Sequence, residues 1–431
     1  MDNQKQGGNV MAIAIMFALF FSIAFVTNFA SSMGVIAKSQ FNASNALSQL
    51  GNAANFIAYL FMGIPGGLIL KRKGYKFTAL TAVTVGFIGV GVQLASGYMG
   101  SFPVYVTGAF IAGFSMCLLN LVVNPLLNTL GGGGNKGNQL VQFGCTLNSV
   151  GAFLSPMILG MLIGEITKDT SFSNAAPALM IAMGIFAAAF FVVAFSKIPE
   201  PHMETAAERQ ARLSGESSVL KDIATTVKFR HFSLGAVAIF FYIVIEVGVP
   251  SMGQLYMTEQ VPVVGGVAVN GPGYVGAKVA GIVAGAYWIC MMIGRLLGGV
   301  VGGKFSSRAQ VSFLAALGIA LIMAVMFAPV KMISLFGYEF PLKMAFMVAV
   351  GLCTSVMWGG IFNMAAEGLG KYVPMGSGIF MAMVFGGILI PVQGYLADTF
   401  GILNSYWLTI GLFAYIFFYA LVGSKVANRA E

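Results

Sequence analysis

The chain has 431 residues, 58% of them apolar and 9% charged, with a formal net charge of +9. Soluble domains carry about a quarter of charged residues, so this composition, with a mean hydropathy of +0.86, excludes a soluble globular fold and indicates an integral membrane protein. The basic excess requires no nucleic-acid partner, because membrane topology accounts for it.

Twelve apolar stretches are long enough to cross a bilayer as helices, beginning near residues 10, 46, 77, 102, 139, 175, 232, 277, 309, 339, 374 and 402. They lack the period-two alternation of barrel strands. The expected fold is therefore all-α, an integral membrane bundle of twelve transmembrane helices in two pseudo-symmetric six-helix halves. The first span is too long for a signal-peptide core and has no small-residue cleavage site behind it, so it is expected to stay as a helix. Most of the Lys and Arg, including Lys71, Arg72, Lys73 and Lys76, fall in loops on the side of the amino terminus. The positive-inside rule then places both termini in the cytoplasm of a multi-pass cell-membrane protein, with the bacterial inner membrane as the expected location. The longest polar stretch, 197–231, separates an amino-terminal half (1–196) from a carboxy-terminal half (232–431) and reads as a helical tether.

Several spans carry polar side chains at helical spacing, which gathers them on one face. Span one has Asn28, Ser31 and Ser32; span two has Asn52, Asn55 and Tyr59. In span four Asn120, Asn124 and Asn128 stand four apart around Pro125, which frees a carbonyl and bends the helix. Span five adds Gln142, Asn148 and Ser149. Amides and hydroxyls both donate and accept, so together these faces suit a cavity for an uncharged, polyhydroxylated solute; the alternative is that they bond helix to helix.

In span seven Glu246 is the one carboxylate of fourteen that lies deep inside a long apolar run. An acid at the centre of a membrane helix costs roughly 2.5 to 3.5 kcal/mol on insertion scales, which makes it a functional candidate. Three roles are open to it: a coupling group for a proton or sodium ion, a protonated sugar contact, or a structural tie. Tyr242 lies one turn before it, and Gln254 two turns after. In span eight Trp288 sits mid-span, and Arg295, near the inner end, reads as a structural or gating residue. In span ten Trp358 is followed by Gly359, Gly360 and Asn363, so an indole face has room beside it for a sugar ring. Glu367 and Asp398 read as boundary residues.

Cys117, Cys145, Cys290 and Cys353 stand singly, without metal-ligand spacing. The stretch GGGGNKGN at 131–138 lacks the Gly-Lys-Ser/Thr ending of a phosphate loop and reads as a flexible turn. With no catalytic constellation, an enzyme, a resident cofactor or a metal is not expected. The halves show weak internal symmetry: GGLILKRKGYK after span two parallels GGVVGGKFSSR after span eight, and the step from Gly151 to Pro156 in span five parallels that from Gly386 to Pro391 in span eleven. The glycine-rich segment 261–281 between spans seven and eight reads as a tolerated insertion.

These residues carry a resemblance that covers essentially the whole chain. The stretches FFSIAFVTNF, GIPGGLILKRKGYK, NLVVNP, TLNSVGAFLSP, FFYIVIEVG, YWICMMIGRLLGG and IFNMAAEGLGKYVPMGSG resemble a major facilitator superfamily transporter of the fucose permease-like sugar branch, which includes glucose and galactose permeases. The resemblance implies alternating-access uptake of a monosaccharide between two six-helix halves, commonly driven by a cation gradient. Tyr242 and Glu246 fall on the branch's Tyr-x-x-x-Glu, Asn124 on its Asn-Pro, Asn148 and Ser149 on its Asn-Ser, and Arg295 on its Gly-Arg. The chain departs from it where proton-coupled fucose permeases carry carboxylates, at Ser31 and Asn120, and where they carry a Gln, at Cys145. Glu246 is left as the mid-membrane acid able to bind a proton or sodium ion. The expected function is import of a neutral hexose or deoxyhexose by a monomer in the bilayer, possible alternatives being facilitative uniport and export of amphipathic compounds. Glu246, Tyr242, Asn120, Asn124, Asn148, Asn28, Trp358, Asn363, Trp288 and Gln254 are the expected substrate contacts.

Overall fold

The computed structural model of the chain describes residues 10–25, 50–163, 176–214, 218–262 and 268–426. Asn28, Ser31 and Ser32 lie outside these residues.

Among the described residues, nine helices are long and apolar enough to cross a membrane. One of them, Leu50–Met99, holds spans two and three, broken at Gly74, whose φ of 83° is left-handed. The remaining crossings are the shorter apolar helix Val10–Phe25, span one, and Gly134–Ile163, span five. Span four is Phe102–Leu130 and span six Ala176–Phe195. Two linker helices, Ala206–Leu213 and Val219–Lys228, precede span seven, Arg230–Thr258. Ala277–Gly302 and Ser307–Phe327 form spans eight and nine. Span ten is two helices, Leu342–Thr354 and Met357–Ala366, and span eleven joins Val373–Ala382 to Ile390–Phe400 through a tighter stretch, Met383–Leu389. Span twelve begins with Ile402–Phe418. The twelve-helix expectation holds, with differences at the edges. Span ten begins at Leu342 rather than near 339 because Met332–Leu335 and Tyr338–Pro341 pair as an antiparallel hairpin, and strands Gln260–Pro262 and Ala268–Asn270 form a second hairpin within the glycine-rich segment.

The internal symmetry has a packing origin. A Cβ on Gly151 of span five would lie 2.5 Å from the Phe21 carbonyl of span one, and one on Gly386 of span eleven 2.3 Å from the Phe240 carbonyl of span seven. In each half, then, a glycine lets the fifth helix press its backbone on the first. The two halves meet in the same paired fashion on the side where the linker lies. There Gly63 and Gly67 of span two cross Gly378 and Pro374 of span eleven, while Gly299 and Gly303 of span eight meet Phe143 and Gln139 of span five. These contacts close the linker side of the bundle.

The linker is docked, where the sequence suggested a tether. Glu200 accepts from the backbone N–H groups of Tyr75 and Lys76, just past the Gly74 break, and a Cβ on Gly74 would strike that carboxylate. Lys76 Nζ donates to the carbonyls of Ala194 (2.7 Å) and Ser196 (2.9 Å) at the end of span six. His202 Nδ1 pairs with the Tyr75 hydroxyl at 2.6 Å. Farther along, Asp222 takes Lys71 Nζ at 2.6 Å.

Burial pushes the His202 pKa down from 6.5 to about 4. A base whose pKa is depressed on docking stabilises the docked state above its free value and loses that contribution as pH falls from about 6.5 towards 4. Hydrogen exchange across 198–204, corrected for intrinsic rates, is expected to be roughly tenfold faster at pH 5 than at pH 7. In His202→Gln this loss of protection on acidification should be gone.

Candidate functional site

Glu246 has partners. Its Oε1 accepts from the Tyr242 hydroxyl at 2.8 Å, one turn earlier on the same helix, and from Arg295 Nη2 of span eight at 3.1 Å. Arg295 Nη1 donates to Ser149 Oγ of span five at 2.6 Å and lies 3.5 Å from the Cys145 carbonyl. Both charged side chains are largely buried, 10% exposed for Arg295 and 14% for Glu246. A buried charge persists in lipid only when compensated, and here a carboxylate and a guanidinium cancel. Arg295 was expected near the inner end of its helix as a structural or gating residue, and it does tie span eight to its neighbours. Its depth differs from that expectation: the long side chain reaches back to the middle of span seven, and the same guanidinium touches the other half through Ser149, so it is a member of the central constellation. Among the described residues Arg295 Nε is buried with no hydrogen-bond partner. Two turns before Arg295, on the side away from the linker, Tyr287 bonds hydroxyl to hydroxyl with Thr354 at 2.9 Å. No sequence signal marked those two, since single hydroxyls are common in membrane helices.

The amides of span four form a ladder across to span ten. Asn120 Nδ2 donates to the Tyr59 hydroxyl of span two at 3.0 Å, and Asn124 Nδ2 to the Asn120 carbonyl at 3.0 Å and its side-chain oxygen at 3.2 Å. Asn124 Oδ1 in turn accepts from the Trp358 indole N–H at 3.1 Å. One turn on, Asn128 Nδ2 donates to Asn363 Oδ1 at 2.6 Å, and Asn363 Nδ2 to Ser307 Oγ of span nine at 2.8 Å. Gln142 Nε2 of span five reaches the Val356 carbonyl at 2.9 Å, where span ten is interrupted between its two helices. Every one of these cross-half bonds lands on the segment 356–363.

The indole of Trp358 packs edge-to-face on Phe380, ring centroids 6.2 Å apart, and lies tilted 6.3 Å from Tyr242. It thereby joins the amide ladder to the Glu246 constellation. Trp288 is 43% exposed on the face of span eight that also carries Arg295 and Gly299, the face turned to span five. Gly281 and Gly285 continue that face, and a Cβ on either would meet open space.

The structure thus brings together Glu246, Tyr242, Arg295, Asn120, Asn124 and Trp358, with Trp288 on the same face of span eight as Arg295. The other expected contacts are placed differently. Asn148 donates to the Phe20 carbonyl of span one at 3.0 Å, Asn363 has both ends of its amide engaged on the linker side of Trp358, and Gln254 is exposed two turns along span seven and joins none of these bonds. Glu367 holds Arg308 at 3.2 Å, in keeping with a boundary position. Among the described residues no cluster of His, Cys, Asp and Glu could hold a metal ion.

The chain is similar to known proteins. The chain is 26% identical over 427 residues, 98% of its length and 96% of the relative's, to a protein of Brucella abortus (strain 2308) named glucose/galactose transporter. To the L-fucose-proton symporter of Escherichia coli (strain K12) it is 23% identical over 454 residues, covering 99% of this chain and 97% of that one. A crystal structure of the E. coli fucose:proton symporter matches with a TM-score of 0.81 over 97% of this chain and all of that one, at 18% identity, which is a likeness of fold. The sequence profile of the Major Facilitator Superfamily matches residues 15–331, well over half of the chain. The chain belongs to the Major Facilitator Superfamily.

Proposed function

We propose that this protein imports a neutral monosaccharide by alternating access, with Glu246 as the group that binds the driving proton. The observation that carries this reading is the charge balance of the membrane interior: the Glu246–Arg295 pair sits among uncharged amides, hydroxyls and indoles. A site of that kind recognises hydroxyl groups by donating and accepting at once, and its tryptophans offer faces to the apolar side of a pyranose ring. The names of the relatives, a glucose/galactose transporter and a fucose-proton symporter, support a hexose or deoxyhexose.

A proton suits the carboxylate better than sodium does. A hard cation needs several oxygen ligands, whereas Oε1 of Glu246 already faces a guanidinium and a phenol. The halves 1–196 and 232–431 are the bodies that rock, and the linker 197–231 joins them on the side rich in Lys and Arg, which the positive-inside rule assigns to the cytoplasm with both termini. A single chain supplies the whole site, so a monomer is sufficient. Uptake of labelled glucose, galactose and fucose into liposomes carrying the purified protein tests the reading, with a proton gradient, with a sodium gradient and with neither. At least one sugar should accumulate with the proton gradient alone. Accumulation with sodium alone would replace the proton, equal uptake under all three conditions would make the protein a uniporter, and no uptake or binding of any hexose would remove the sugar.

A further inference from the structure

The hairpin between spans nine and ten sits at the end of the bundle opposite the linker, and it is amphipathic. Side chains alternate between the faces of a strand, so the pairings Ile333 with Phe340 and Leu335 with Tyr338 put four apolar residues on one face. Ser334 and Glu339, paired with each other, stand on the opposite face, with Met332 and Pro341 behind them at its base. The base of the apolar face packs on the protein: Phe340 is buried and Ile333 lies against the core. Its outer part has no such cover. Leu335 is 50% exposed, Tyr338 37% and Phe336, at the tip, 90%.

The turn itself is unusual. Phe336 and Gly337 have φ of 51° and 79°, the geometry of a two-residue hairpin turn that favours Asn-Gly. A phenylalanine there strains its backbone while holding its ring away from the protein. In water both features are unfavourable. At the boundary of a bilayer the ring is solvated by lipid, and the apolar face lies flat on hydrocarbon while Ser334 and Glu339 keep to the aqueous side.

The hairpin is also continuous with a lipid-facing surface. Span nine ends at Phe327, 65% exposed and in edge contact with Trp407 of span twelve at 6.3 Å, an aromatic pair of the kind that marks a membrane interface. The hairpin base follows directly, closed by the Leu342 N–H to the Lys331 carbonyl at 2.8 Å. We propose that the hairpin 332–341 is an interfacial anchor that inserts Phe336, Leu335 and Tyr338 into the leaflet opposite the linker. It fixes the connection between spans nine and ten against the bilayer while the helices around it move. The anchor is independent of the sugar assignment.

Spin labels test it in the full-length protein reconstituted in phosphatidylcholine/phosphatidylglycerol liposomes. Three of the native cysteines are buried and Cys290 is half-buried, so Cys290→Ser is the background. Labels at Phe336→Cys and, separately, at Leu335→Cys should collide several-fold more often with oxygen, which partitions into lipid, than with an aqueous nickel chelate. A label at Glu339→Cys should show the reverse. Nickel access at 336 and 335 equal to that at 339 would overturn the anchor. So would shielding of 336 and 335 from both reagents, which would point to a protein partner on this face.

Discussion

Glu246→Gln is expected to abolish accumulation of sugar against its gradient while leaving counterflow exchange in place. The exchange needs only that the loaded protein reorient in both directions, whereas accumulation needs a group that takes up a proton on one side and gives it up on the other. The glutamine keeps the hydrogen-bonding shape towards Tyr242 and Arg295 but cannot ionise. In the wild type the pair carries no net charge when Glu246 is ionised, so the empty protein can reorient without a bare charge in the membrane. Protonation leaves Arg295 as a single positive charge, held by Ser149 of the opposite half. The loaded state is therefore the charged one. Glu246→Gln imitates it permanently and should cycle through the loaded step alone. Removing one member of a buried pair costs about 3–5 kcal/mol, far more than replacing both, so the variant should also melt earlier. A double substitution, Glu246→Gln with Arg295→Gln, should recover much of that stability and none of the accumulation. The pair of measurements is a counterflow assay beside a gradient-driven uptake assay, and retained accumulation in the single variant would remove Glu246 from the coupling step.

Gly63→Leu is expected to reduce uptake more than tenfold by holding the linker side open. A Cβ at this position would lie 2.5 Å from the Gly378 carbonyl and 2.6 Å from the Ala382 backbone nitrogen. Both obstacles are backbone, which cannot rotate away as a flexible side chain would. Spans two and eleven would separate, and with them the crossing of Gly67 on Pro374. Because these glycines make contact between halves, the variant should fold and reach the membrane. A cysteine at Gln139, beneath the matching crossing of spans five and eight, should be alkylated faster from the linker side in Gly63→Leu than in a protein with Gly63 intact. Normal uptake, or unchanged alkylation, would show that these crossings do not close the pathway.

The fold was legible because lipid imposes a simple rule: twenty apolar residues per crossing, with charges confined to loops. Glu246 was legible for the same reason, as a charge out of place. Its partner was harder to see. Arg295 is 49 residues away on another helix, and a residue count along span eight gives the depth of its backbone but not of the guanidinium at the end of a long, flexible stem. The amides of spans two, four and five form a polar face at helical spacing, yet the sequence could not divide those that gather beside Trp358, such as Asn120 and Asn124, from those, such as Asn148, that bond elsewhere. Both roles require the same amide at the same spacing. Gly63 opens one of the stretches that resemble the family, but its packing role was not legible, because what gives it meaning is the backbone of a helix more than three hundred residues later. The hairpin at 332–341 was missed for want of an Asn-Gly turn, and Phe336 is the residue that hid it.

The charge difference between the empty and loaded states gives the most direct test of the coupling. Purified protein in liposomes adsorbed on a solid-supported membrane is exposed to a jump in the concentration of a hexose that it transports, and the displacement current is recorded. Positive charge should move with the neutral sugar in the wild type, in proportion to uptake, and the sustained current should vanish when Glu246 is replaced by glutamine, leaving only the transient of the loaded protein redistributing between its two orientations. A hexose that enters the same liposomes with no charge displacement would contradict coupling at the Glu246–Arg295 pair.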